Sequence, residues 1–174
     1  TFRALKAAMD FEPNIACGAL AKLAESSEFV LRIMAGRMLP KAEARCPNMS
    51  RVHFETAQQL MKDSDTEVRI AGIRSASKIA ERFKNSSQPI SDDFIDQLLD
   101  FASSDANDNI KAVAILALAR LAPSRVVNKL QDLLHHQDEN VRHHVVLALG
   151  MSKKSALVSQ LLPLLNDAST LVQL

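Results

Sequence analysis

The residues Leu60-Met61-Lys62-Asp63-Ser64-Asp65-Thr66-Glu67-Val68-Arg69 read as the end of one helix, a tight acidic turn and the start of the next. Their pattern is an apolar pair, a turn, and an apolar anchor eight positions after the first residue of the pair. The chain repeats it. Leu133, Leu134 and Val141 fit, as do Leu164, Leu165 and Val172, and Leu23, Ala24 and Leu31. Phe101, Ala102 and Ile110 fit with one extra turn residue, and Phe2-Arg3 reads as the second half of another copy. The anchors at 2, 31, 68, 110, 141 and 172 are spaced by 29, 37, 42, 31 and 31 residues. Periods of this size predict stacked helix pairs.

From each anchor, apolar or small residues recur at +3, +4, +7 and +8. Val68 is followed by Ala71, Gly72, Ser75 and Ala76; Ile110 by Val113, Ala114, Ala117 and Leu118; Val141 by His144, Val145, Ala148 and Leu149. This is helical periodicity with one buried stripe. Asp65, Asp105 and Asp138 stand just before second helices, where a carboxylate can accept unpaired backbone N–H groups.

The predicted first helices are Asn14–Glu25, Arg51–Lys62, Phe94–Ala102, Arg125–His136 and Ser155–Asn166. The first four pair with second helices Phe29–Ala44, Glu67–Lys84, Asn109–Leu121 and Asn140–Met151. Pro13 can start a helix, because its missing N–H is not needed there. Pro40 and Pro163 should kink or end theirs. Asn48 or Ser50 is a cap candidate after the linker Cys46-Pro47-Asn48, and Ser91-Asp92-Asp93 is another. Asn85–Pro89 reads as the clearest loop. The chain stops where a second helix should begin, so the expectation is one solenoid over 1–174, excerpted from a longer chain.

Composition narrows the function classes. Apolar content is 47%, too rich for disorder, and four Gly with six Pro favour an all-helical reading. Trp and Tyr are absent. Net charge is +1, with 21 bases against 20 acids, which speaks against a large phosphate-binding surface. The longest apolar run, Ala112–Ala119, is far short of the ~20 residues of a membrane span, and no signal peptide is visible. Cys17 and Cys46 read as reduced, partly buried thiols of a cytoplasmic protein rather than a metal or disulfide framework.

No catalytic constellation stands out. Ser64, Ser104 and Ser155 lack a local His and Asp arrangement, and the four Gly form no phosphate loop. His135, His136, His143 and His144 cluster around one turn, but no ligand spacing typical of a metal accompanies them, so they read as polar surface and packing. Neither cofactor nor metal is expected. Arg32, Arg69, Lys111 and Arg142 each follow an anchor. They read as a structural ladder in which each base reaches an acidic turn residue of its own or the next repeat; the competing reading is a cationic stripe for an acidic partner. Glu81–Lys84 and Lys153-Lys154 read as solvated helix ends.

The repeat resembles the HEAT family of helical solenoids, carried by the turns at 60–69, 133–142 and 164–173. That likeness implies a right-handed α-solenoid of antiparallel pairs that binds proteins and is not an enzyme. Over roughly residues 23–123, the turns at 60–69 and 104–111, with Leu31-Arg32-Ile33-Met34, look like the scaffolding A subunit of protein phosphatase 2A. The two successive periods of 31 depart from that subunit's pattern. The narrower likeness implies a scaffold for phosphatase catalytic and regulatory subunits, which dock along the ridge of turns. The ridge positions here would be Lys62, Asp63, Asp65 and Glu67, then Asp105, Asn107 and Asp108, then Gln137, Asp138 and Glu139. Second helices would line the concave side. The alternatives are another HEAT adaptor, in transport, chromosome organisation or bacteria, and a nucleic-acid-binding HEAT protein.

Overall fold

A computed structural model describes residues 2–83, 90–151 and 157–173. The loop predicted at Asn85–Pro89 and the Lys153-Lys154 run lie outside the described residues. Among the described residues the chain is all helical. Its order is α1 (Phe2–Phe11), α2 (Pro13–Ala24), α3 (Phe29–Arg45), α4 (Ser50–Leu60), α5 (Thr66–Phe83), α6 (Asp92–Ser104), α7 (Asp108–Leu121), α8 (Pro123–Gln131), α9 (Glu139–Met151), α10 (Val158–Leu161) and α11 (Thr170–Gln173). Short 3-10 turns lie at Pro47–Met49, Asp132–His135 and Leu162–Asn166. Two compact units divide the chain, residues 1–88 and 89–174. Each unit of the fold is built, in the manner of an α-solenoid, from stacked antiparallel helix pairs.

In unit 1, α2 packs on α3 and α4 on α5; α1, α3 and α5 then stack as one layer and α2 and α4 as the other. In unit 2, α6 packs on α7 and α8 on α9, and α7, α9 and α11 stack in turn. The anchors Val68, Ile110, Val141 and Val172 are buried, and so is almost all of the periodic stripe. Val113 and His144 are half-buried. His144 Nδ1 lies 2.7 Å from the Asn140 carbonyl of its own helix.

The small residues of the stripe set how closely the helices of unit 1 pack. A Cβ on Gly72 would fall 2.6 Å from the Met61 nitrogen and 2.7 Å from the Leu60 carbonyl carbon, so only glycine lets α5 rest on the backbone of α4. A Cβ on Gly36 would fall 2.9 Å from the Ala71 Cβ, where α3 meets α5.

Pro40 does not end α3, which runs on to Arg45. Proline has no N–H for the carbonyl four residues back, here that of Gly36. The buried Ser75 hydroxyl of α5 donates to that carbonyl instead. Arg82 Nη1 donates to the Pro40 carbonyl at 3.1 Å and also pairs with the buried Glu43 carboxylate. Thus α5 supplies the partner that the proline removes. Pro163 does interrupt its helix, since α10 gives way to a 3-10 turn at Leu162.

Two expectations need correction. Cys17 and Cys46 are joined by a disulfide, and both are fully buried. One lies within α2 and the other just past the end of α3, so the packing of this helix pair brings together cysteines separated by 29 positions. Neither Asn48 nor Ser50 caps α4 through its side chain. Ser50 Oγ donates backwards instead, to the Pro47 carbonyl at 2.7 Å and to Glu43 at 3.1 Å. Ser91 does cap α6, accepting from Phe94 N at 3.3 Å. Near the disulfide's helices, His53 of α4 is buried, and burial holds its pKa below the ordinary imidazole value.

Candidate docking ridge and second-helix face

Each helix-to-helix turn must satisfy the first N–H groups of the helix it starts. The chain meets this demand with two polar side chains per turn. The first closes the turn itself: Asp63 Oδ1 accepts from Asp65 N at 2.9 Å, Asp105 Oδ1 from Asn107 N at 2.8 Å, and Asp167 Oδ1 from Ser169 N at 2.8 Å. His136 takes the same place, its Nδ1 accepting from Asp138 N at 3.1 Å. The second caps the helix. Asp65 Oδ1 accepts from Glu67 N and Val68 N at 2.9 and 3.1 Å, Asn107 Oδ1 from Asn109 N and Ile110 N at 3.0 and 3.3 Å, and Asp138 Oδ1 from Asn140 N and Val141 N at 2.8 and 3.1 Å.

The base after each anchor binds back onto its own turn. Arg32 Nη1 donates to the Ser26 and Ser27 carbonyls at 2.8 and 3.0 Å, Arg69 Nη1 to Asp63 and Ser64 at 3.1 Å each, and Arg142 Nη1 to His136 and Gln137 at 2.8 and 2.9 Å. Gln173 does the same with its amide, donating to the Asp167 carbonyl at 2.6 Å. Two of these arginines also reach the following turn. Arg32 meets Asp63 through Nε at 2.6 Å and Nη2 at 3.0 Å, and Arg142 meets Asp167 at 2.9 and 2.7 Å. These are bidentate, charge-assisted pairs. Hydrogen bonds from the guanidinium hold Asp63 and Asp167 below the usual carboxylate range. Lys111 makes a shorter link, with its Nζ 2.9 Å from Asp108 and 3.2 Å from His136 Nε2.

This chemistry divides the predicted ridge residues. Asp63, Asp65, Asp105, Asn107 and Asp138 are half-buried and spend oxygen atoms on their own turns, while Asp108, also half-buried, pairs with Lys111. Lys62, Glu67, Gln137 and Glu139 are exposed. The turns therefore have a fixed frame and a few outward side chains. Among the described residues no group of three or more His, Cys, Asp or Glu side chains is placed to hold a metal ion. His143 Nδ1 lies 2.7 Å from the Leu171 carbonyl and His136 serves its turn, so these two rings are engaged in the repeat itself.

Residues 95–173 match the family model described as HEAT repeats. The match spans α7 and α9 to α11 with their turns, and nearly all of α6 and the whole of α8. The same turn chemistry recurs outside the matched residues, at Ser26–Arg32 and Asp63–Arg69. No curated protein matches the chain. Among the described residues no helix is long and apolar enough to cross a membrane.

The sequence reading missed one feature. Six, ten and fourteen residues after the anchors of α3 and α5 stand Arg37, Lys41 and Arg45, and Arg74, Lys78 and Arg82, all exposed. Beyond its first turn α5 exposes no other residue. The signal was a basic residue at every fourth position. It is hard to see in contiguous charge runs such as Glu81–Lys84, which mix both signs.

Proposed function

We propose that the chain is a non-enzymatic protein-binding scaffold. The observation that carries this reading is the division of labour in the turns. The capping side chains and ladder bases are consumed by the fold, while Lys62, Glu67, Gln137 and Glu139 stand exposed on two of the turns. A frame that satisfies its own polar groups can vary those outward positions without cost to the core. The HEAT match supports the reading, since such repeats commonly mediate protein association. Asp63, Asp65, Asp105, Asn107, Asp108 and Asp138 would then shape the ridge rather than touch the partner strongly.

The finer form of the proposal is a scaffold of the phosphatase 2A type, holding catalytic and regulatory subunits; the Cys17–Cys46 disulfide removes the reduced thiols on which the cytoplasmic expectation rested. It is supported by the likeness of the turns at 60–69 and 104–111. Affinity capture with the chain as bait, read by mass spectrometry, tests both levels. Recovery of a serine/threonine phosphatase catalytic subunit, lost in a Lys62→Glu, Glu139→Lys variant that still folds, is the expected result. Recovery of other proteins through the same residues would keep the scaffold and discard the phosphatase. Capture insensitive to these substitutions would overturn the ridge.

A further inference from the structure

The two basic rows of unit 1 flank two hollows of about 210 and 320 Å³. The hollows share Pro40, Lys41 and Lys78, so they run together along the face of α3 and α5. Seven cations line them, the two rows plus Lys6 of α1, against the carboxylates of Glu67 and Asp10 alone. Asp10 is already paired with Arg45 at 2.8 Å, and Arg82 is paired with Glu43. Among the described residues no hydrogen bond or ion pair engages Arg37, Arg74 or Lys78. Between the cations the lining is apolar, with Met9, Met38, Pro40, Ile70 and Ala71.

Like charges four residues apart on a helix repel one another. Unit 1 carries four such steps, two on each row. A bound anion would relieve that repulsion. Along one row the charges are spaced by ~6 Å, from a rise of 1.5 Å per residue. Alternate residues of an extended peptide are ~6.6–6.8 Å apart and point to the same side. A strand that alternates acidic and apolar residues would therefore set a carboxylate beside successive bases. No aromatic ring lines either hollow, which removes the usual stacking platform for nucleic-acid bases.

We propose that this face of unit 1 binds an extended acidic segment of a partner protein, with Arg37, Arg74 and Lys78 as its principal carboxylate contacts. The proposal rests on the scaffold reading only in taking the ligand to be protein. It concerns a different surface from the outward positions of the turns, although Glu67 stands at the border of both.

The test is fluorescence anisotropy on the full chain with a labelled peptide alternating aspartate and leucine. A lysine–leucine peptide and a single-stranded oligothymidine serve as competing probes. The expected result is micromolar binding of the acidic peptide alone, weakened by salt and by about tenfold or more in Arg74→Glu, Lys78→Glu. Arg74→Gln, Lys78→Gln, with helicity checked by circular dichroism, should show a smaller loss in the same direction. Lys62→Glu, Glu139→Lys should bind the peptide normally, so failure of the ridge and failure of this face are read separately. No peptide binding, or binding unchanged by the Arg74 and Lys78 variants, would overturn the proposal. Tighter binding of the oligothymidine would also overturn it and assign the face to nucleic acid.

Discussion

Six and ten residues after its anchors, unit 1 displays Arg37 and Lys41 on α3, and Arg74 and Lys78 on α5. At the same repeat positions unit 2 carries the half-buried Leu116 and the exposed Arg120 on α7, and the exposed Leu147 and Met151 on α9. Leu147 is 42% exposed and Met151 45%, so these apolar side chains are not there to fill a core. The positions at +3, +4, +7 and +8 keep to small or apolar residues in both units, because packing against the neighbouring helices allows little else. A chain of this kind uses one set of positions to stack and leaves another set facing outward. Two units can therefore share a fold and a turn chemistry while presenting different surfaces.

The internal devices also differ between the units, and breaking them should sharpen the contrast. The largest effect should come from the Cys17–Cys46 disulfide, since the cystines of the chain are all in unit 1. In the chain-entropy picture, a bond closing a loop of this length is worth about 3–4 kcal/mol. Cys17→Ala, Cys46→Ala should raise amide hydrogen exchange through α2 and α3 and leave α7 and α9 nearly unchanged. An equal rise in both units would mean that the bond does not act locally.

A smaller effect, opposite in sign between the units, should come from glycine. Gly72→Ala forces a methyl group against the backbone of α4 and should cost about 1–3 kcal/mol. Gly150 of α9 has nothing within 4 Å of its missing Cβ. Gly150→Ala should therefore stabilise by about 0.5–1 kcal/mol through helix propensity alone. Urea unfolding of the two variants beside the parent chain reads both signs at once. A loss at Gly150 equal to that at Gly72 would contradict the packing described for α4 and α5.

Much of this was legible in the sequence. Buried anchors with a 3.6-residue period located the helix pairs, and acidic turn residues before second helices located the caps at Asp65 and Asp138; at α7 the cap is Asn107, and the expected Asp105 closes the turn instead. What stayed hidden depended on partners far away in the chain. Pro40 looked like a break because its rescue comes from Ser75 and Arg82, on another helix. Cys17 and Cys46 looked like separate thiols because only the packing of one helix pair brings them together. The backbone N–H groups that Asp63 and Asp138 accept stayed hidden as well, because sequence shows a carboxylate at a turn but not its hydrogen-bond partners. The basic face was visible in principle, at +6, +10 and +14, but the near-neutral total charge concealed it.

The central claim is that the turn charges hold the repeats together and leave recognition to the outward side chains. A double-mutant cycle in urea tests it most directly, with Arg142→Ala, Asp167→Ala and both together, repeated at Arg32 and Asp63. Each single substitution should lower the unfolding midpoint, and the double variant should fall little below the worse single one, since either change alone already removes the bidentate pair. Strictly additive losses, or single variants as stable as the parent chain, would contradict it and return those arginines to the surface available to partners.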